Sequence, residues 1–478
     1  MSGKTAVLGG GISGLSAAYY LINNPAFRAV KVIEASERTG GWLRTRVSPG
    51  GVVFEEGPRT IRPRGSAGKN TLNLIDSLKL TDKIIPISFT HPAAKNRMIY
   101  VGKKLHTLPN SLSSLFKVNS PFSRPLVSCL LTDLRAPRLA KDDESIYSFV
   151  ERRLGKDAAD YLISPMICGI CAGDAKQISV NFIMKSPFEY EQKYGSIVKG
   201  YVTSRWEAFM NPEKRNLTKQ PDGEKISSSR RAEKERWAIW TLRGGLEQLP
   251  TVLGDNIKSR GVEVELNKNC EELTFAEGGI RLKINGVTEE YSRVISSLSA
   301  KNLASLVRHQ HPQLADELKA IPMVTVAVVN LEFAGNVLDQ EAFGFLVSPG
   351  ENLPILGVIF DSCILPSTNS TVITVMMGGA WFQTNFGDRP TKEHLLSVAV
   401  GHVKSILNIE AVPVAHNVAI LKDCIPQYVV GHDQRINRIE NYLAERRLAL
   451  SLCGSSYYGV GLNDVVLSAK RAAAAFDY

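Results

Sequence analysis

Apolar residues along this chain fall into two rhythms: tight runs that predict strand, and a recurrence at every third or fourth position that predicts helix. The run Thr5-Ala6-Val7-Leu8 ends in Gly9-Gly10-Gly11-Ile12-Ser13-Gly14, after which Leu15, Ala18, Tyr19 and Ile22 recur at helical spacing. That order predicts strand, glycine turn, helix. Val30-Lys31-Val32-Ile33 reads as the next strand and ends at Glu34, and Val47 to Phe54 reads as a hairpin around its proline and glycines. Leu72, Leu74, Ile75 and Leu78 predict an amphipathic helix over Thr71 to Leu80.

Farther on, Ser145 to Leu154 and Asp157 to Met166 read as helices, and the polar stretch Asn211 to Arg236 as an exposed excursion. Trp240 to Leu246, Val262-Glu263-Val264 and Val294-Ile295-Ser296-Ser297 resume the strand and helix alternation of the N-terminal part, so the chain leaves that unit and returns to it. Met323 to Leu331, Phe343 to Val347 and Thr371 to Met377 predict a β-rich second unit, followed by a helix over Lys392 to Leu407. Leu450 to Cys453 reads as a last strand, with a glycine loop and a helix start after it.

The first glycines carry candidate chemistry. Gly9 permits the tight turn, Gly11 lets backbone approach a pyrophosphate, and Gly14 lets the helix pack on the strand, so the helix N-terminus faces the phosphates. Glu34 stands twenty residues after Gly14. A carboxylate there suits a ribose diol and repels a 2′-phosphate, which favours FAD or NAD over NADP. A second glycine pair in Arg38-Thr39-Gly40-Gly41-Trp42-Leu43-Arg44-Thr45 resembles the extended dinucleotide signature of the flavin amine oxidase superfamily, and that resemblance implies FAD.

Between Lys95 and Lys141, nine basic residues face one acid, Asp133, with Leu112, Leu115 and Phe116 among the interleaved apolar residues. Such a mixture suits either a monotopic element in an anionic membrane interface or a helical cap whose leucines face its own core. Periodicity alone does not separate the two.

Composition bounds the rest. At 478 residues with 44% hydrophobic content the chain can bury a large core across two or three domains. A net charge of +10 suits an anionic surface or substrate, and no nucleic-acid motif accompanies it. Seven scattered cysteines argue for reduced thiols, and Cys168 and Cys171, a lone CxxC pair, lack the two further ligands a metal site needs. No apolar window predicts a membrane-spanning helix, and a strand beginning by Thr5 leaves no room for a cleavable leader.

Nearly end to end, the chain resembles the protoporphyrinogen oxidase family of the flavin amine oxidase superfamily. The most specific stretches are Gly57-Pro58-Arg59 with Ile61-Arg62-Pro63, His91 to Arg97, Arg243 to Glu247, and Cys424 to Tyr428 with Gly431-His432. The resemblance implies an α/β fold of the amine oxidase, p-hydroxybenzoate hydroxylase-like type. An FAD-binding domain in three pieces (1–92, 237–300, 441–478) would carry a helical membrane-associated insert (93–205), an exposed loop (206–236) and a mixed β-sheet substrate domain (301–440). It implies cofactor contacts at Gly9, Gly10, Gly11, Ile12, Ser13, Gly14, Glu34, Trp42, Gly57, Pro58, Arg59, Thr60, Cys270, Ser455, Val460, Gly461 and Leu462. Arg59 would be a cation beside the flavin or one half of a surface salt bridge. On the substrate side, Arg97 would pair with a propionate while Phe343, Leu346 and Met376 pack on pyrrole rings. Cys168 stands where relatives carry Arg.

The implied reaction is six-electron oxidation of a reduced tetrapyrrole with dioxygen as acceptor, using no certain catalytic side chain. The implied location is the mitochondrial inner membrane, peripheral, on the intermembrane-space side, with a homodimer admitted. An amine oxidase, or a non-catalytic carrier on the same fold such as the GDP-dissociation inhibitors, stands as the alternative.

Overall fold

A computed structural model describes residues 3–24, 29–210, 227–365 and 369–475. Its organising element is a five-stranded parallel sheet in the order Leu450–Leu452, Arg293–Ser296, Lys4–Leu8, Ala29–Ile33, Glu263–Glu265. Both faces are covered, which is why the central strand is apolar at successive positions rather than alternating. Val7 points to a core shared with the helices Ile12–Ile22, Gln248–Ser259 and Leu462–Ala474. Ala6 and Leu8 point the other way, toward the antiparallel sheet of Cys270–Ala276, Gly279–Ile284 and Val287–Tyr291.

A second, seven-stranded sheet runs Ala415–Pro426, Met323–Ala334, Ser370–Gly379, Ile355–Phe360, Gly344–Val347, Met98–Val101, Lys104–Thr107. One face, with Ala327, Val329, Val375 and Met377, is buried under the helix Lys392–Leu407. The opposite face is left for the site. Helices Ile146–Leu154, Ser164–Cys171, Lys185–Tyr194 and Ile197–Met210 form a third unit around Phe149, Ile167 and Phe188.

Several elements differ from the sequence expectation. Early residues of the expected helical insert, Met98–Val101 and Lys104–Thr107, are instead the last two strands at one end of the seven-stranded sheet, where Met98 joins its core. The helix expected from Thr71 begins at Gly65, and Gly68, Asn70 and Thr71 are already buried there. In the expected exposed loop, 211–226 lie outside the described residues. The three serines after it start a helix instead: Ser227 caps Ser228–Lys234 by accepting from the Arg230 amide, and the Ser228 hydroxyl bonds Asp76. Ser228 and Ser229 are thereby buried.

The interleaved apolar residues divide between surface and interior, and the basic residues stay at the surface. Leu112 is 80% exposed and Phe116 66%, whereas Phe122 is 4% exposed and belongs to the interior. Asp133, the one acid of that stretch, is fully buried against Arg153 and Ser196 and is thereby removed from the surface. Beside it, Ile197–Met210 presents Tyr201, Val202, Trp206, Phe209 and Met210 to solvent. Leu112, Phe116, Leu130 and Leu131 therefore do not face a core of the chain. Among the described residues no helix is long and apolar enough to cross a membrane.

Candidate functional site

The glycine turn has the form a dinucleotide requires. A Cβ on Gly14 would collide with the Gly9 carbonyl, so the helix approaches the strand only because that position is glycine. Gly11 stands at the N-cap of Ile12–Ile22, and no side chain caps that end, so the first amides remain available to an anion. The second glycine pair folds back onto the first: the Gly40 amide donates to the Gly10 carbonyl at 2.8 Å, and Gly41 rests against Gly11. Glu34 is held at the rim, its Oε2 accepting from the Gly10 amide at 2.6 Å and its Oε1 from the Ser36 amide at 2.8 Å. A carboxylate has acceptor capacity beyond those two bonds, so a diol still fits.

Cys270 opens a strand whose approach is tied to this rim, since the Lys268 amide donates to the Glu34 carbonyl at 2.9 Å. Burial pushes the Cys270 thiol up to about 11, against its bond to the Glu272 carbonyl. Trp42 is half exposed, and its carbonyl blocks any side chain at Gly57. Pro58 is exposed and Thr60 partly so at the foot of the same segment.

At the far end, the Tyr428 hydroxyl donates to the Ser455 carbonyl at 2.6 Å and accepts from the Gly459 amide at 2.7 Å, fixing the loop through Val460. Tyr428 itself stacks on His432, 3.8 Å between ring centres. Gly461 is the N-cap of Leu462–Ala474, again without a side-chain cap, and Asn463 donates to the Arg62 carbonyl at 2.7 Å. Two uncapped helix N-termini thus belong to one parallel sheet and its flanking loops.

Arg59 is not a surface salt bridge. It is 7% exposed, donates to Asp361 at 2.7 Å and lies 3.9 Å from the Met376 sulfur. Asp361 also accepts from Thr374 at 2.6 Å, and Asn330 donates to Thr374 at 2.7 Å. Asn417 reaches the Asn330 side-chain carbonyl at 3.3 Å. Sequence reasoning missed this polar row. Its signal was present in the runs Val329-Asn330-Leu331 and Ile373-Thr374-Val375, where one polar residue interrupts a buried strand on the same parity as Met376.

Next to it, burial pushes the Glu55 carboxyl up to about 7, against hydrogen bonds from the Leu246 amide and Thr45 and the charge of Arg59.

Met376 and Leu346 flank Gly357 in register on the free face of the seven-stranded sheet. Gly357 keeps the space between them open, because a side chain there would meet Leu346 and the Phe345 carbonyl. Leu346 also touches Gly169 of the third unit. Phe343 precedes this strand, and the Arg97 guanidinium lies over its ring at 4.7 Å. Burial, then the charge of Arg62, draws the Arg97 pKa down. Arg97 keeps solvent access. Cys168 and Cys171 are buried, with thiols pushed up to about 12 by burial, and no group of metal-holding side chains occurs among the described residues.

A parallel sheet with a double-glycine turn, two uncapped helix ends and an apolar wall opposite defines a dinucleotide-dependent oxidoreductase. The chain belongs to the flavin containing amine oxidoreductase family, matched over residues 12–476, and is an FAD-dependent enzyme. It is 38% identical to protoporphyrinogen oxidase of Macaca fascicularis over 480 residues, covering 99% of this chain and 98% of the relative. It is 26% identical to coproporphyrinogen III oxidase of Bacillus subtilis, covering 98% and 96%. A solved structure of cyclohexylamine oxidase from Brevibacterium oxydans shares the fold, with a TM-score of 0.67 at 16% identity over 99% and 98% of the two chains.

Proposed function

We propose that the protein oxidises protoporphyrinogen IX to protoporphyrin IX in haem biosynthesis, passing electrons to dioxygen with release of hydrogen peroxide. The observation that carries this is the chain-long 38% identity to a protoporphyrinogen oxidase. The substrate wall agrees with it: Leu346, Met376 and Phe343 offer a flat apolar surface, and Arg97 offers a cation without a carboxylate partner among the described residues. An ammonium substrate would be repelled there, which disfavours an amine oxidase.

FAD, when bound, supplies the hydride acceptor and the route to dioxygen. The residues proposed to hold it are Gly9 to Gly14, Glu34, Trp42, Gly57 to Thr60, Cys270, Ser455 and Val460 to Leu462. The two helix ends would place positive dipole at the phosphates and at the opposite end of the cofactor. The chain's own task is binding, orienting and excluding water, because a methylene between pyrroles is activated by the rings themselves.

For location we propose monotopic attachment to an anionic membrane, in mitochondria the inner membrane facing the intermembrane space. The exposed Leu112, Phe116, Trp206 and Phe209 support it, as do the nine basic residues of 95–141, whose one acid, Asp133, is buried. Porphyrin fluorescence after adding protoporphyrinogen IX, beside a panel of primary amines and polyamines, tests the activity. Peroxide with an amine and none with the porphyrinogen would overturn it.

A further inference from the structure

We propose that Arg62 is a second anion-reading residue at the substrate mouth, so that Arg62 and Arg97 each take one carboxylate of a dicarboxylate substrate. The inference rests on the tetrapyrrole reading above and deepens it. Two observations carry it. The first is placement. Ile61 bridges to Trp240, and the adjoining Ile239 packs with Ala93 and Phe343. Arg62 follows Ile61, and Arg97 follows the short helix Pro92–Lys95 that contains Ala93. Arg97 therefore borders that cluster, and Arg62 follows the bridge to the strand that supplies its Ile239.

Arg62 is anchored from the other side, since its carbonyl accepts from Asn463 at the helix end assigned to the cofactor. The Arg62 backbone thus touches the cofactor end.

The second observation is charge. Neither Arg62 nor Arg97 has an ion-pair partner among the described residues, and each keeps solvent access. Arg62 is close enough to depress the Arg97 pKa by its charge. Two like charges held together without an acid cost stability, and a pair of anions relieves that cost. Arg64 extends the cationic rim, stacked over Phe89 at 4.6 Å. The two propionates of protoporphyrinogen IX sit on neighbouring pyrroles, which suits a paired cation. A tetracarboxylate would leave two further carboxylates to be solvated elsewhere, so the pair also bears on discrimination against coproporphyrinogen.

The test is steady-state kinetics of R62Q, R97Q and R62K with flavin content measured by absorbance. R62Q is expected to raise KM for protoporphyrinogen IX about three- to tenfold, as for a rim charge that substrate partly covers. R62K should recover most of the affinity. With protoporphyrinogen dimethyl ester, which has no carboxylate, R62Q and the unaltered protein should give one KM. Turnover of protoporphyrinogen IX with equal KM in R62Q and the unaltered protein overturns this inference alone. No turnover by the unaltered protein sinks the reading beneath it. Should R62Q leave KM unchanged and instead weaken pelleting with cardiolipin vesicles, the charge belongs to lipid and the proposal fails.

Discussion

Glu55 is an acid in an interior that favours its neutral form. Its ordinary value near 4.5 is raised to about 7, so between those pH values the folded chain holds a proton that the unfolded chain has released. Stability contributed by this group is therefore present below about 4.5 and lost as pH rises through 7, a change on the order of 3 kcal/mol. Glu55→Gln should flatten that part of the urea-unfolding profile between pH 5 and 8, because the amide is neutral throughout. An unchanged slope would place the carboxyl elsewhere in its titration. Arg97→Ala should raise KM for protoporphyrinogen by about 1 to 2 kcal/mol equivalent while flavin content stays constant. Loss of bound FAD in that variant would show Arg97 serving the cofactor.

The thiols give a further residue-scale expectation. Cys168, Cys171, Cys424 and Cys453 are buried and pushed up to about 12, so they should resist alkylation at pH 8 in the native protein. Mass spectrometry after iodoacetamide checks this. What sequence conveyed here was uneven for a physical reason. Gly14 and Glu34 announce themselves because backbone geometry admits few other residues. Asp361 and Arg59 meet across 302 residues of chain, and no local pattern encodes that distance.

At the scale of elements, Gly14→Ala is expected to abolish flavin retention, since the added methyl must displace the Gly9 carbonyl from the turn. Absorbance near the flavin bands during purification reports it. A membrane-attached surface makes a separable prediction. The unaltered protein should pellet with cardiolipin vesicles, more weakly in high salt, and exchange of Leu112, Phe116, Trp206 and Phe209 for Ser should release it with FAD still bound. Solubility of the unaltered protein with no vesicle binding at low salt would overturn the attachment.

Helices with strong faces, such as Lys392–Leu407, were legible from apolar spacing. The sheet Cys270–Ala276, Gly279–Ile284, Val287–Tyr291 was not, because Glu271, Glu272, Arg281, Lys283 and Glu290 are exposed on it, a charge density that reads as loop. Met98–Val101 was obscured in another way: it joins the sheet through Gly344–Val347, a partner nearly 250 residues away, while its other neighbour, Lys104–Thr107, is the edge strand.

For the whole molecule, the return of the chain to its first unit was visible in sequence, since the strand runs before 34, near 262, near 294 and at 450 share one character. The pairing between them was not visible, because strand order follows tertiary packing. The same arrangement governs assembly. The strand Lys4–Leu8 gains its neighbour Arg293–Ser296 only after some three-fifths of the polypeptide exists. The helix Leu462–Ala474, which covers Ile12–Ile22, is made later still. A ribosome that has produced the glycine turn has therefore produced a motif that cannot yet retain its cofactor, and the emerging chain must stay unaggregated until Leu462–Ala474 is released. Flavin capture then waits on Leu450–Leu452 and Leu462–Ala474, and chains stopped short of residue 450 should accumulate colourless and be cleared as unfolded protein rather than persist as weak enzymes.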